Sequence, residues 1–230
     1  TPSVSSAASD VYKRQQLTPS DLSKFEPQFL QFMQQEMQTD AAHDLSHVQR
    51  VVKTAHQLAQ KEGADLAVVL PAAYLHDCFT YPKDHPNRKQ SSTIAATKAI
   101  SFLESIGYPA QYHDAIAHAI ESHSFSANIT PNTLEAKIVQ DADRLDALGA
   151  IGVTRCIQVS TWFDAALYNE QDMFAEHRKL EDKRFTIDHF QTKLFKIVET
   201  MNTKTAYEVA LKRKAFMQSY LEQLRQEVEG

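Results

Sequence analysis

The chain has 230 residues, 43% of them hydrophobic and 23% charged, with a formal net charge of −5. That balance suits one large globular domain, or one with a small subdomain, and the negative charge argues against a nucleic-acid polymer as partner. Only five Gly are present, which disfavours turn-rich all-β folds and glycine-rich nucleotide loops and points to an all-α protein.

Cys78 and Cys156 are the two cysteines, with no CxxC pair, and they read as free thiols of a reducing compartment. There is no run of 18 apolar residues and no apolar h-region near the N-terminus. A cytoplasmic location without a membrane partner is therefore expected. Residues 1–16 stand apart. The opening TPSVSSAASDVYKRQ is Ser/Ala-rich, unpatterned and without an initiating Met, and it resembles a translated sequencing adapter. It is expected to be disordered or non-native, leaving a single domain over 17–230.

From about Pro19 the pattern is helical. Phe25, Phe29, Phe32, Met33 and Met37 form an apolar stripe at helical spacing. A second helix is predicted over 46–61, with Val48, Val51, Val52, Ala55, Leu58 and Ala59 on its buried face and Gly63 as its stop. A third, over 65–77, is apolar nearly all round, as a central helix should be. Residues 81–90 (YPKDHPNRKQ) read as a loop. Helices are then predicted over 91–106, 111–122, 133–146 and 147–160. A charged region of weak periodicity spans 164–190; with Trp162 and Phe163 just before it and Phe174 within it, it could serve as a lid, a dimer surface or plain core. A last pair is predicted over 188–200 and 203–227.

Two distant stretches carry the chemistry: Leu75-His76-Asp77 and Asp141-Ala142-Asp143-Arg144-Leu145. With His47 upstream, they offer two imidazoles and two carboxylates, a mixed N/O set suited to a divalent transition metal with open positions. An HD dipeptide alone decides nothing, because the chain has three. His43-Asp44 and His113-Asp114 read as surface pairs near helix caps. His76-Asp77 differs because it interrupts the apolar run VVLPAAYLHD. An unpaired Asp buried there would cost several kcal/mol unless a positive group neutralised it. Arg144 is one candidate for that role and a metal is the other. Consecutive residues within a helix point about 100° apart, so His76 and Asp77 can share an ion only where the helix ends.

Taken in order, HDLSHVQRV, AYLHD, HAIESHSFS and EAKIVQDADRLDALGAIG resemble the HD-domain superfamily of metal-dependent phosphohydrolases, and among its branches the bacterial YedJ-type proteins. The resemblance runs from about Leu17 to the C-terminal region, including DKRFTIDHFQTKL. It implies an all-α HD-domain helical bundle with additional C-terminal helices, 163–230 packing on the rest. It also implies metal ligands at His47, His76, Asp77 and Asp143, the four that the chemistry selects. Two-metal members have two further His between the HD pair and the last Asp. His123 matches the second, but Ser91-Ser92 stands where the first would be, so one divalent ion (Mn, Fe, Co, Ni, Zn or Mg) is expected. The ppGpp-hydrolase branch carries a Glu-Asp pair soon after HD, where this chain reads Cys78-Phe79-Thr80-Tyr81.

The function so implied is hydrolysis of a phosphoester or phosphoanhydride of a small metabolite, most plausibly a nucleotide, by a metal-activated water. Phosphoryl transfer asks for surrounding cations, and Arg50, Lys83, Arg88 and Lys193 are candidates for substrate contact. Asp77, His118 and His123 are candidates for catalytic roles, the two His as phosphate donors or general acids. Asp146 is placed to orient a ligand His, and Asp141 to cap or pair elsewhere. The alternatives are a non-catalytic HD-type module that binds a ligand or partner, and a di-iron oxygenase, which would need the second metal. The sequence leaves room for a homo-oligomer.

Overall fold

The computed structural model describes residues 17–36, 45–82 and 85–230, so Met37, the His43-Asp44 pair, Lys83 and the 1–16 stretch lie outside the described residues. Within them the apolar stripes become nine α-helices. The first, α1 (Pro19–Glu36), buries Leu22, Phe29 and Met33. In α2 (Leu45–Glu62) the buried face is the predicted one with His47 added at its start. Gly63 ends it at φ 76°, and Gly63 N and Ala64 N both return to the Ala59 carbonyl, a left-handed stop that glycine makes without strain.

The central helix, α3 (Leu66–Leu75), is capped by Asp65, whose carboxylate accepts from Ala67 N at 2.8 Å. Almost every side chain of α3 is buried, because α1, α2, α4 (Ser91–Ser105), α5 (His113–His123) and α6 (Leu134–Leu145) pack around it. The helix stops at Leu75, so His76 and Asp77 fall on its ending turn, where consecutive side chains can converge. Gly107 ends the α4 segment at φ 72°, and Thr133 caps α6 through Ala136 N.

Two sequence expectations need correction. His113 is not a surface residue: it is 8% exposed, and its Nε2 donates to the Tyr108 carbonyl at 2.9 Å. The helix expected over 188–200 is broken. A short α8 (Asp188–Thr192) gives way at Lys193 (φ −133°, ψ −58°) to a 3₁₀ stretch, Leu194–Thr200. Tertiary bonds override the helical pattern here. Asp188 is gripped by both Nη atoms of Arg178, and Thr192 Oγ1 donates to Asp182.

Between α7 (Gly149–Thr161) and α8 the chain forms a loop closed by a single parallel bridge, Ala166 to Phe185. Trp162 and Phe163 are more than half exposed, and Phe174 lies under the Arg225 guanidinium. The last helix, α9 (Lys204–Glu229), packs on α7, α6 and α2. One hydrophobic cluster runs from Leu22 on α1 to Leu221 on α9. No helix among the described residues is long and apolar enough to cross a membrane.

Candidate metal centre

Four elements deliver one side-chain cluster: the start of α2 (His47), the turn after α3 (His76, Asp77), the end of α5 (His123) and the last turn of α6 (Asp143). His47 Nε2 lies 3.3 Å from Asp143 Oδ1 and 3.7 Å from Asp77 Oδ2. His76 Nε2 lies 3.4 Å from Asp77 Oδ2 and 3.9 Å from Asp143 Oδ1. His123 Nε2 lies 3.5 Å from Asp77 Oδ1. Two overlapping donor sets result, His47–His76–Asp143 and His76–Asp77–His123, each with its ligand atoms within 4.8 Å of one another.

The outer ring nitrogens are fixed by the scaffold. His76 Nδ1 faces the Ala73 carbonyl at 2.9 Å, His123 Nδ1 faces the Ile120 carbonyl, and His47 Nδ1 faces Asp146 Oδ2 at 2.7 Å. Carbonyls and carboxylates only accept, so each Nδ1 carries the hydrogen and each Nε2 turns its lone pair inward. His76 Nε2 is buried with no hydrogen-bond partner, a costly arrangement that a cation relieves. The carboxylates keep an opening to solvent, with side chains 15% exposed at Asp77 and 28% at Asp143. The donor set thus fits a divalent ion with room for further ligands.

Charge follows the same geometry. Burial pushes the His47 imidazole down, but Asp143, Asp146 and Asp77 outweigh it and hold it up to about 9. His123 is raised against its burial by Asp77 and Asp143. Burial pushes Asp143 up, yet His47, with His76 and His123, brings it down to about 2. Asp77 is held well below the usual carboxylate range, against its burial, by His76 and His123. The imidazoles are thus pushed toward their protonated form and the acids toward their ionised form, so a metal entering the cluster would displace imidazole protons. Arg144 does not neutralise Asp77: its Nη1 donates to the Thr200 carbonyl at 2.7 Å.

The remaining sequence candidates separate. Asp146 orients His47, as its spacing suggested, and also takes Arg50 through Nε at 2.7 Å and Nη2 at 2.9 Å. Arg50 therefore grips the site's supporting carboxylate and is not among the residues that line the neighbouring cavity. His118 is not brought to the cluster. It sits five residues before His123, about 140° around the helix, and its Nε2 accepts from Asn132 N at 3.1 Å. Asp141 is fully buried and clamps the start of α9, accepting from Asn202 N and Nδ2 and from Thr203 N and Oγ1. Ser91 Oγ accepts from Tyr81 N at 3.0 Å and so closes the preceding loop.

Beside the cluster lies a cavity of about 730 Å³. Ala147 and Arg155 set one wall against the Asp146 side of the metal centre. Arg88 and Lys193, both read from the sequence, line this cavity together with Arg155 and Lys183, four cations against the single carboxylate of Asp182. Phe163, Val159 and Leu194 supply apolar surface, and His189 lines it with its Nδ1 3.2 Å from Asp182. Sequence reasoning missed Arg155, Lys183 and His189. Lys183 and His189 lie in the DKRFTIDHFQTKL motif, from which only Lys193 was singled out, and Arg155 follows a helical GAIG start that gives no sign of where its side chain lands.

Residues 44–148 match the HD domain family. YpgQ of Bacillus subtilis is 32% identical over 195 residues, 83% of this chain and 86% of YpgQ. The chain belongs to the HD domain family. Its fold is that of HD-superfamily hydrolases. A crystal structure of YpgQ in complex with ADP is similar at TM-score 0.70 and 31% identity, covering 89% of this chain and 98% of that one. A Lactobacillus plantarum protein has TM-score 0.66 at 34% identity over 92% and 98% of the two chains. An HD-superfamily hydrolase from Bacillus thuringiensis has TM-score 0.69 at 28% identity over 90% and 97%.

Proposed function

We infer that this HD-domain protein is a metal-dependent phosphohydrolase that cleaves a phosphoester or phosphoanhydride of a small metabolite, most plausibly a nucleotide. The observation that carries the reading is a buried His/Asp cluster linked through Asp146 and Arg155 to a cationic cavity. The ADP in the YpgQ complex supports a nucleotide as the substrate class. His47, His76, Asp77 and Asp143 would hold one divalent ion, with Mn, Fe, Co, Ni, Zn and Mg all compatible with the donor set. Such an ion, when bound, would acidify a water and draw charge from a phosphoryl oxygen.

The protein's own groups do the rest. Asp146 and the Ala73 carbonyl keep the His47 and His76 lone pairs turned inward. Arg88 and Lys193 meet substrate phosphate from the cavity wall; Lys83 stays a candidate from the sequence alone. His123, with Nε2 3.5 Å from Asp77 Oδ1 and its imidazole raised by Asp77 and Asp143, is our candidate for the proton donor to the leaving oxygen. Phe163 offers an aromatic face for a base or sugar. Ser91 is engaged with Tyr81 N, which favours one ion over two and hydrolysis over di-iron oxygenation.

We place the protein in the cytoplasm, with residues 17–230 as one domain of the YedJ-type branch, a small phosphorylated substrate as its partner and no role for nucleic-acid polymer or membrane. A homo-oligomer is compatible with exposed Trp162 and Phe163. The test is a metal-supplemented screen over nucleotides and sugar phosphates with product analysis, which also separates pyrophosphate from phosphate release. Turnover that is lost in folded Asp143→Ala supports the reading. A protein that binds no Mn²⁺ and hydrolyses nothing in the panel is instead a non-catalytic binding module.

A further inference from the structure

Arg155 belongs to two neighbourhoods at once. Its Nη1 donates to Asp146 Oδ2 at 2.7 Å and to the Asp146 carbonyl at 3.3 Å, and lies 3.4 Å from His47 Nδ1. The same side chain lines the cavity. Arg50 and Arg213 also reach this corner, Arg50 on the Asp146 carboxylate and Arg213 on the Leu145 carbonyl. Of the three arginines, only Arg155 is on the cavity wall.

The backbone explains the placement. Gly149 (φ 74°) opens α7 directly after the turn that follows α6, and Gly152 sits so close to that turn that a Cβ on it would lie 2.3 Å from the Ala147 carbonyl oxygen. Arg155 follows Gly152 by one helical step of three and so shares its side of the helix. The inner side of α7 is thereby laid over the Asp146 turn, and a residue nine positions further along the chain returns to Asp146.

We propose that Arg155 ties the substrate cavity to the metal centre: it holds Asp146, and through it His47, in the orientation that turns His47 Nε2 to the ion, and it meets the phosphate of a substrate in the cavity. The first role concerns only the chain and its ion; the second rests on the phosphohydrolase reading. A guanidinium can do both, because it is planar, always charged, and presents donors along more than one edge. A lysine at this position keeps the charge and loses the fork. Arg155 is thus a positioning residue for His47 and a binding residue for the anion.

The test uses the full chain as wild type, Arg155→Gln, Arg155→Lys, Asp146→Asn and the Asp146→Asn/Arg155→Gln double variant. Mn²⁺ alone is titrated calorimetrically, and inorganic pyrophosphate is then titrated into Mn²⁺-saturated protein. Arg155→Gln is expected to weaken Mn²⁺ binding about tenfold and to weaken pyrophosphate binding as well. Arg155→Lys is expected to weaken Mn²⁺ binding while largely keeping pyrophosphate. In the Asp146→Asn background, Arg155→Gln should cost no further Mn²⁺ affinity and should still weaken pyrophosphate.

Wild-type Mn²⁺ affinity in folded Arg155→Gln overturns the positioning role, and unchanged pyrophosphate affinity overturns the anion role. Should Arg155→Gln fail to fold, Arg155→Lys decides: weakened Mn²⁺ with retained pyrophosphate supports the proposal, and wild-type Mn²⁺ affinity overturns it. If the wild type binds Mn²⁺ but turns over no phosphate compound, the phosphohydrolase reading fails while the Mn²⁺ titrations still judge Arg155.

Discussion

Asp146 Oδ2 sits 2.7 Å from His47 Nδ1, and the same carboxylate pairs with both Arg50 and Arg155. It is held below the usual carboxylate range, against its burial, by His47 and Arg50. Asp146→Asn removes the charge while keeping the shape. It leaves two guanidiniums facing a neutral amide and no longer fixes which His47 nitrogen carries the hydrogen. Mn²⁺ affinity should fall about 10- to 100-fold, and stability by about 1–3 kcal/mol, limited by the partial exposure of both arginines. Metal titration and urea unfolding check the two parts separately.

A second prediction concerns pH. His47 is raised from its ordinary value of 6.5 to about 9. A group raised on folding contributes stability that is fully present below its unfolded value and is lost as pH climbs through the folded one. The metal-free protein should therefore lose the His47 contribution between about pH 6.5 and 9. An ion competes with that proton for Nε2, so metal binding strengthens over the same window. The gain in Tm on adding Mn²⁺ should grow as pH rises from 6.5 toward 9; a gain that shrinks over this range contradicts the assignment of His47 as a ligand.

How much of this was legible in the sequence depends on whether a signal was local. The helices of the bundle follow apolar spacing, and the His76-Asp77 turn follows from an acidic residue interrupting an apolar run. Asp146 was legible because one helical turn separates it from Asp143. The Arg155 contact was not legible, because it depends on how sharply α7 folds back, and that depends on space at Gly152. The break at Lys193 was hidden for a similar reason: its cause is the Asp188–Arg178 and Thr192–Asp182 contacts across a loop. In HAIESHSFS the resemblance matched only His123 to a further family His, yet both His were candidates for catalytic roles, and the rotation of α5 sets His118 away from the cluster.

That rotation gives the third prediction. His123→Ala removes a ring nitrogen 3.5 Å from Asp77 and should lower kcat by about 10²-fold or more, as loss of a general acid does. His118→Ala removes only an acceptor for Asn132 N at the protein surface and should leave kcat within about threefold of wild type, since surface changes of this kind cost within about 0.5 kcal/mol. Equal losses in the two variants would show that the face of α5 does not decide the role.

Asp141 and Asp143 are two residues apart and do different work. Asp141→Ala strips four bonds from the Asn202–Thr203 turn and leaves the donors of buried Thr203 without their acceptor. The cost should be about 3 kcal/mol or more, seen as a lower urea midpoint. Mn²⁺ affinity measured well below the unfolding transition should stay near wild type, because Asp143 faces the cluster independently. A large loss of Mn²⁺ affinity without a change in stability would reverse the two assignments.

The two glycines at the start of α7 make the last prediction a comparison. At Gly149 the obstacle to a side chain is partly conformational: φ is 74°, and the atom a Cβ would meet is Arg213 Cγ at 3.1 Å, on a flexible chain that can move. Gly149→Ala should therefore cost about 1–2 kcal/mol, mainly for the left-handed backbone. At Gly152 the backbone is ordinary helix, but the Cβ would sit 2.3 Å from the Ala147 carbonyl oxygen, which cannot give way without moving the turn that follows Asp146. Overpacking of this kind costs about 1–3 kcal/mol or more, and its relief must shift α7 away from Asp146. Gly152→Ala should therefore be the more destabilising change, and where it folds it should weaken Mn²⁺ binding in the way that Arg155→Gln does. Gly149→Ala, matched for stability by temperature, should bind Mn²⁺ more tightly than Gly152→Ala; the reverse order would mean that the α7 contact does not set the metal centre.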